Sequence, residues 1–136
     1  MVCVFCDIVN GKIGSQKVYE GEEFLAFLDI NPRSRGHCLV IPKEHYPTLL
    51  DMPAEKVYGL FNITKLVAER ITNKMGAKGF NICMNNGRDA GQVIPHAHVH
   101  VIPRYGEDKE IAIESGLPIK EELRGELEKI RKKICG

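Results

Sequence analysis

His96, His98 and His100 alternate with Ala97, Val99 and Val101 in the run from Pro95 to Pro103. A period of two is a strand period: small and β-branched residues favour an extended chain, and successive side chains point to opposite faces. The run therefore predicts a strand with all three imidazoles on one face and an apolar row on the other. Three of the five histidines in 136 residues fall in this window. A row of imidazoles on a rigid strand can ligate a metal, transfer protons or attack an electrophile. A polar, solvent-facing row is the plainer alternative.

The rest of the chain supplies elements for such a strand to join. Residues 4–13 predict a short helix with Phe5, Ile8 and Val9 on one side, ended by Gly11. Residues 18–20 and 24–28 read as strands joined by a tight turn at Gly21-Glu22, and 31–36 as loop. The apolar run 37–41 predicts a buried strand stopped by Pro42. Residues 53–75 read as a long helix with Val57, Leu60, Phe61, Thr64, Ala68, Ile71 and Met75 at helical spacing. A short strand follows at 80–84. Ile119, Leu123, Leu127, Ile130 and Ile134 mark a final amphipathic helix over about 118–135, weakened by Gly125 and appended to the rest. These signals define a single α+β domain over residues 1–136, with an antiparallel sheet of about five strands, one long helix and short flanking helices.

A hydrophobic content of 43% suits one domain with a real core, and a net charge of +1 builds no field for a nucleic-acid backbone or a membrane. The amino end has neither a basic region nor a long apolar run, so the reading is a cytoplasmic chain. Five cysteines with Cys3 and Cys6 spaced Cys-x-x-Cys then point to metal or redox chemistry before a disulfide. A structural zinc takes four Cys or His ligands at about 2.0 Å for nitrogen and about 2.3 Å for sulfur. Cys3 and Cys6 make half of such a site, while Cys38, Cys83 and Cys135 are isolated and read as core residues. His96 and His100 lie roughly 13 Å apart along a strand, so one ion is not expected to take both while also holding the Cys pair. One member of the histidine row plus His37 or His45 is the simpler completion.

The turn 85–92 delivers the chain into the histidine strand and contains Gly87 and Gly91. Glycines let backbone N–H groups approach an anion, and Asn and Gln side chains add neutral donors. Alone, such a turn is ordinary; its meaning comes from the histidines that follow.

His96-Ala-His98-Val-His100-Val-Ile102 is similar to the pattern His-φ-His-φ-His-φ-φ of the histidine triad (HIT) family, φ being hydrophobic. Cys3-Val-Phe-Cys6-Asp-Ile, Phe27-Leu-Asp29-Ile-Asn-Pro32, the run from Gly36 to His45 and Ala90-Gly91-Gln92 extend the resemblance along nearly the whole chain. The chain looks like the nucleotide-binding branch that includes nucleoside phosphoramidate hydrolases. That resemblance implies a homodimer whose antiparallel sheet continues across the subunits. It implies that His98 attacks the α-phosphate of a purine nucleotide, giving a nucleotidyl-histidine that water hydrolyses, with His100 on the phosphate oxygens and His37 orienting the row. Asn85 and the backbone at Gly91 and Gln92 would add phosphate donors, Asp29 would accept from the ribose, and Ile8, Phe24 and Leu28 would hold the base. Cys3, Cys6, His45 and His96 would bind a structural zinc. The chain departs from the resemblance at Val93, where many relatives carry Ser or Thr, and in its long carboxyl-terminal helix. Dinucleoside polyphosphate hydrolysis and a non-catalytic nucleotide-sensing, zinc-stabilised module are the alternatives.

Overall fold

The computed structural model describes residues 2–106 and 117–136. Among them, β1 (Lys17–Glu20), β2 (Phe24–Leu28), β3 (Cys38–Pro42), β4 (Gly79–Cys83) and β5 (Val99–Arg104) form one antiparallel sheet in the order β1-β2-β3-β5-β4. Three α-helices accompany it: α1 (Val4–Val9), α2 (Ala54–Met75) and α3 (Leu127–Cys135). The α+β architecture expected from the sequence is the one observed.

β2 and β3 are buried at every position, so each strand has a covered face on both sides. Phe24, Ala26, Leu28, Cys38, Val40, Val99 and Val101 pack with Leu60, Val67 and Ile71 of α2 and with Ile130 and Ile134 of α3. Leu25, Phe27, Leu39 and Ile41 face the other way and meet Phe5 and Ile8 of α1. His100 lies opposite Leu39 in the β3–β5 ladder and therefore belongs to the α1 face.

Three expectations are corrected. The paired part of β5 begins at Val99, so His96 and His98 stand in the segment leading into it. There Ala97 N–H donates to the Tyr46 carbonyl at 2.7 Å, which ties this segment to the chain beyond β3. In α2, Phe61 is 39% exposed while Ile63 and Val67 are buried. The buried stripe of the helix is Leu60, Ile63, Thr64, Val67, Ala68, Ile71 and Met75, and Phe61 falls at its edge. The single helix expected at 118–135 is a 3-10 segment, Glu121–Glu126, followed by the shorter α3. Gly125 falls at that change, where its weak helix propensity is least costly.

Gly36 ends the β2–β3 loop with φ +94°, and a Cβ built there would lie 3.3 Å from Pro103 Cγ and 3.4 Å from Ile71 Cγ2. Gly36→Ala therefore combines backbone strain with overpacking and is expected to cost about 2 kcal/mol, lowering Tm by roughly 6 °C. Thermal unfolding followed by circular dichroism checks this; an unchanged Tm would mean that the loop relaxes freely.

Candidate active site

Cys3 caps α1, accepting from Cys6 N–H at 3.4 Å, so the first turn of helix sets both sulfurs on one side. His96 joins them because its Nε2–H donates to the Pro42 carbonyl at 2.8 Å. A carbonyl only accepts, so the His96 lone pair is on Nδ1. That atom lies 3.4 Å from Cys3 Sγ, 3.6 Å from Cys6 Sγ and 3.2 Å from His45 Nδ1, with Cys6 Sγ and His45 Nδ1 3.3 Å apart. A tetrahedral zinc with ordinary bond lengths has ligand–ligand edges of about 3.5 Å for S–N pairs and about 3.3 Å for N–N pairs. The four side chains thus fit a tetrahedral cation. Burial, and then the neighbouring Cys3 thiol, push Cys6 up to about 11; a bound cation reverses such a shift by competing with the proton. Of the two histidines the spacing left open, His45 joins this cluster and His37 does not.

His37 lies with His100 and Asp29. Arg33 N–H donates to His37 Nδ1 at 3.0 Å, which places the His37 proton on Nε2. That Nε2 is 2.9 Å from His100 Nδ1 and 3.5 Å from Asp29 Oδ2. His100 Nδ1 is therefore the acceptor, and its Nε2–H is left as a donor. Asp29 Oδ1 accepts from Asn31 N–H at 2.8 Å. Between the two clusters, His98 Nδ1–H donates to the His96 carbonyl at 2.7 Å, which puts the His98 lone pair on Nε2. Phe5 packs edge-on to His98 with ring centroids 5.1 Å apart.

Burial, then the charge of Arg33, lowers His37 to about 3; burial, then His37, lowers His100 to about 3. Both imidazoles are thus neutral when folded and ordinary, near 6.5, when unfolded. Between those values the unfolded chain binds more protons, so stability is full above pH 6.5 and lost as pH falls from there toward 3. Going from pH 7 to pH 5 is expected to cost on the order of 4 kcal/mol, about 2 kcal/mol from each imidazole. Urea midpoints at the two pH values check it. The double variant His37→Asn, His100→Asn keeps Cys3, Cys6, His45 and His96 and is expected to lose much of the difference.

The turn before the row is tied internally. Gln92 Oε1 accepts from Gly87 N–H at 2.7 Å, and Gln92 Nε2 donates to the Pro47 and Ile94 carbonyls at 2.6 and 3.0 Å. The Gln92 side chain is thereby committed within the turn, and the backbone is too: Gln92 N–H donates to the Gly87 carbonyl at 3.1 Å and Gly91 N–H to the Arg88 carbonyl at 3.0 Å. Gly91 has φ +93°, and Asn85 Nδ2 lies 3.5 Å from where a Gly91 Cβ would be. Val93 is 85% exposed and lines an open cleft of about 600 Å³ together with Thr48 and Arg88.

The apolar candidates separate. Ile8 lies on the histidine face, whereas Phe24 and Leu28 pack under α2 on the opposite face of the sheet. The cause is strand alternation: in a strand buried on both sides, hydrophobicity does not reveal which parity faces which layer. Phe27 shares the histidine face, 5.5 Å from Phe5 centroid to centroid. Phe5, against His98, is a site residue that the apolar pattern alone does not mark; its position between the paired cysteines is the signal for it.

An antiparallel α+β domain that sets a Cys₂His₂ cluster able to hold a metal beside a row of tautomer-fixed histidines is a scaffold for imidazole chemistry. The HIT domain profile matches residues 10–107, and the chain belongs to the HIT family. It is 38% identical to the adenosine 5'-monophosphoramidase hnt1 of Schizosaccharomyces pombe, over 98% of this chain and 99% of that protein. It is 40% identical to the adenylylsulfatase HINT3 of Arabidopsis thaliana, over 98% of this chain and 70% of that one. Among solved structures it resembles a zinc-bound histidine triad family protein from Mycobacterium smegmatis, with a TM-score of 0.75 and 39% identity over 98% of this chain and 94% of that one. These likenesses support nucleotide hydrolase activity in general.

Proposed function

We propose that the protein hydrolyses a purine nucleoside 5'-phosphate derivative through a covalent nucleotidyl-histidine. His98 Nε2 attacks the α-phosphorus, the P–N or P–O bond to the leaving group breaks with its electron pair, and water later displaces the imidazole. The observation that carries this reading is the His98 Nδ1–H bond to the His96 carbonyl, because it leaves the nucleophilic lone pair on Nε2. His100 Nε2–H donates to the non-bridging oxygens, where charge develops, and Asn85 adds a neutral donor, while the backbone N–H groups of Gly91 and Gln92 reach the phosphate by exchanging their turn bonds to the Arg88 and Gly87 carbonyls. Asp29 accepts from the ribose. Phe5, Ile8 and Phe27 supply an apolar wall for the base.

Cys3, Cys6, His45 and His96 would hold zinc, which supplies a structural cross-link between α1, the segment after β3 and the histidine row. The outer edge of β4, with Phe80 and Ile82 at 46% and 40% exposure, suits continuation of the sheet into a second copy. No helix of the described residues is long and apolar enough to cross a membrane, and the free cysteines suit a reducing, cytoplasmic setting. One experiment tests the reading: intact mass spectrometry after brief mixing with an adenylate donor, repeated under native conditions. Expected are one AMP-sized adduct, one zinc per chain and two chains. Nucleotide binding without any adduct would instead favour the sensing module.

A further inference from the structure

Loop 29–37 carries two residues of the candidate site, yet it has no ladder of its own. Asn31 and Arg33 each face two ways within it. The Asn31 backbone N–H orients the Asp29 carboxylate, and the Arg33 backbone N–H sets the His37 tautomer. Their side chains point to the carboxyl-terminal segment instead. Arg124 Nη2 donates to Asn31 Oδ1, and Arg33 Nη1 donates to the Leu117 carbonyl. The intervening loop backbone is gripped as well: Arg124 Nε donates to the Ile30 carbonyl at 2.8 Å, and Lys120 N–H donates to the Pro32 carbonyl at 2.7 Å. Arg35 Nη1 meets Glu126 Oε1 at 2.8 Å on the far side.

We propose that residues 117–126 form a clasp that sets the loop presenting Asp29 and His37, with Arg124 as its positioning residue. The clasp is itself anchored. Leu123, Ile130 and Ile134 are buried, and α3 packs on α2 and β1. Arg124 suits the work because one planar guanidinium donates in two directions, to a backbone carbonyl and to the Asn31 side chain, a geometry lysine cannot copy. The inference uses the nucleotide reading only to say what the loop presents. Its structural half, from the clasp through the Arg33 amide to the His37 tautomer, stands without any ligand.

Two readouts on Arg124→Ala separate the halves. The ¹⁵N resonance of His37 Nδ1, observed without ligand, is expected to shift as the Arg33 hydrogen bond weakens. Calorimetric affinity for AMP is expected to fall about tenfold and KM for an AMP-amide to rise similarly, with kcat changing less than about threefold, because His98 and its turn are held elsewhere. Arg124→Lys should recover only part of both, and Lys132→Ala, exposed on α3, should change neither. If Arg124→Ala fails to fold, Glu126→Gln tests the same clasp more gently, with a smaller shift of the same sign. An unmoved His37 resonance, or a fall in kcat with KM unchanged, overturns the proposal. A wild-type chain that does not bind AMP sinks the nucleotide reading instead, and the resonance shift still decides on the clasp.

Discussion

His98→Ala is expected to lower turnover of an AMP-amide by about 10⁴-fold or more while leaving AMP affinity within a few-fold. Removing a nucleophile takes away the two-step route itself, and losses of this order accompany such deletions. The affinity should survive because the groups assigned to the nucleotide lie outside His98: the His100 donor, the Gly91 turn and Asp29. His100→Ala is expected to behave differently. It removes one donor to the developing charge, costing about 10²–10³-fold, but it leaves the nucleophile in place, so a slow adduct still forms. Initial rates and a single-turnover adduct time course on both variants check this. Adduct accumulation in His98→Ala would move the nucleophile to another residue and remove the central role given to the fixed tautomer.

The sequence carried the elements and the pattern of this fold well, because period-two and helical apolar spacing are local signals. It carried phase poorly. The resemblance implies Phe24 and Leu28 at the base, yet both lie under α2, and β2, apolar at both parities, gives no sign of it. Phe61 shares the helical spacing of the buried residues of α2 yet lies at the edge of their stripe, a difference that spacing does not show. The cysteine pair was legible from its spacing, whereas spacing left His37 and His45 as equal partners for it. What separates them is long-range: the Pro42 carbonyl turns His96 toward His45, and the Arg33 amide turns His37 toward His100. The contacts of Arg124 with Ile30 and Asn31 lie more than 90 positions apart and follow no periodicity, so no local pattern encoded them.

Stripping metal from the protein with a strong chelator is expected to lower Tm by roughly 10 °C, corresponding to about 3 kcal/mol or more, without abolishing the fold. The limit on the loss follows from the two cores. The layer between the sheet and α2 contains none of the four ligands and keeps Leu60, Val67, Ile71, Val40 and Val99 packed together. The other layer depends on α1, a helix of six residues that is too short to persist on its own. Once its tie through Cys3 and Cys6 to His45 and His96 is cut, Phe5 and Ile8 lose their fixed position over Leu39 and Phe27. Phe5 is also the ring against His98, so turnover should drop about tenfold with the stability. Cys3→Ser, Cys6→Ser should reproduce both losses and be insensitive to chelator. Refilling with Co²⁺ distinguishes a cross-link from a Lewis acid: a tetrahedral structural site should restore Tm and bring kcat back within a few-fold, whatever the ion. A kcat that tracked the identity of the metal would place the ion at the phosphate, and a Tm unmoved after verified metal removal would mean that the cage contributes nothing to holding α1.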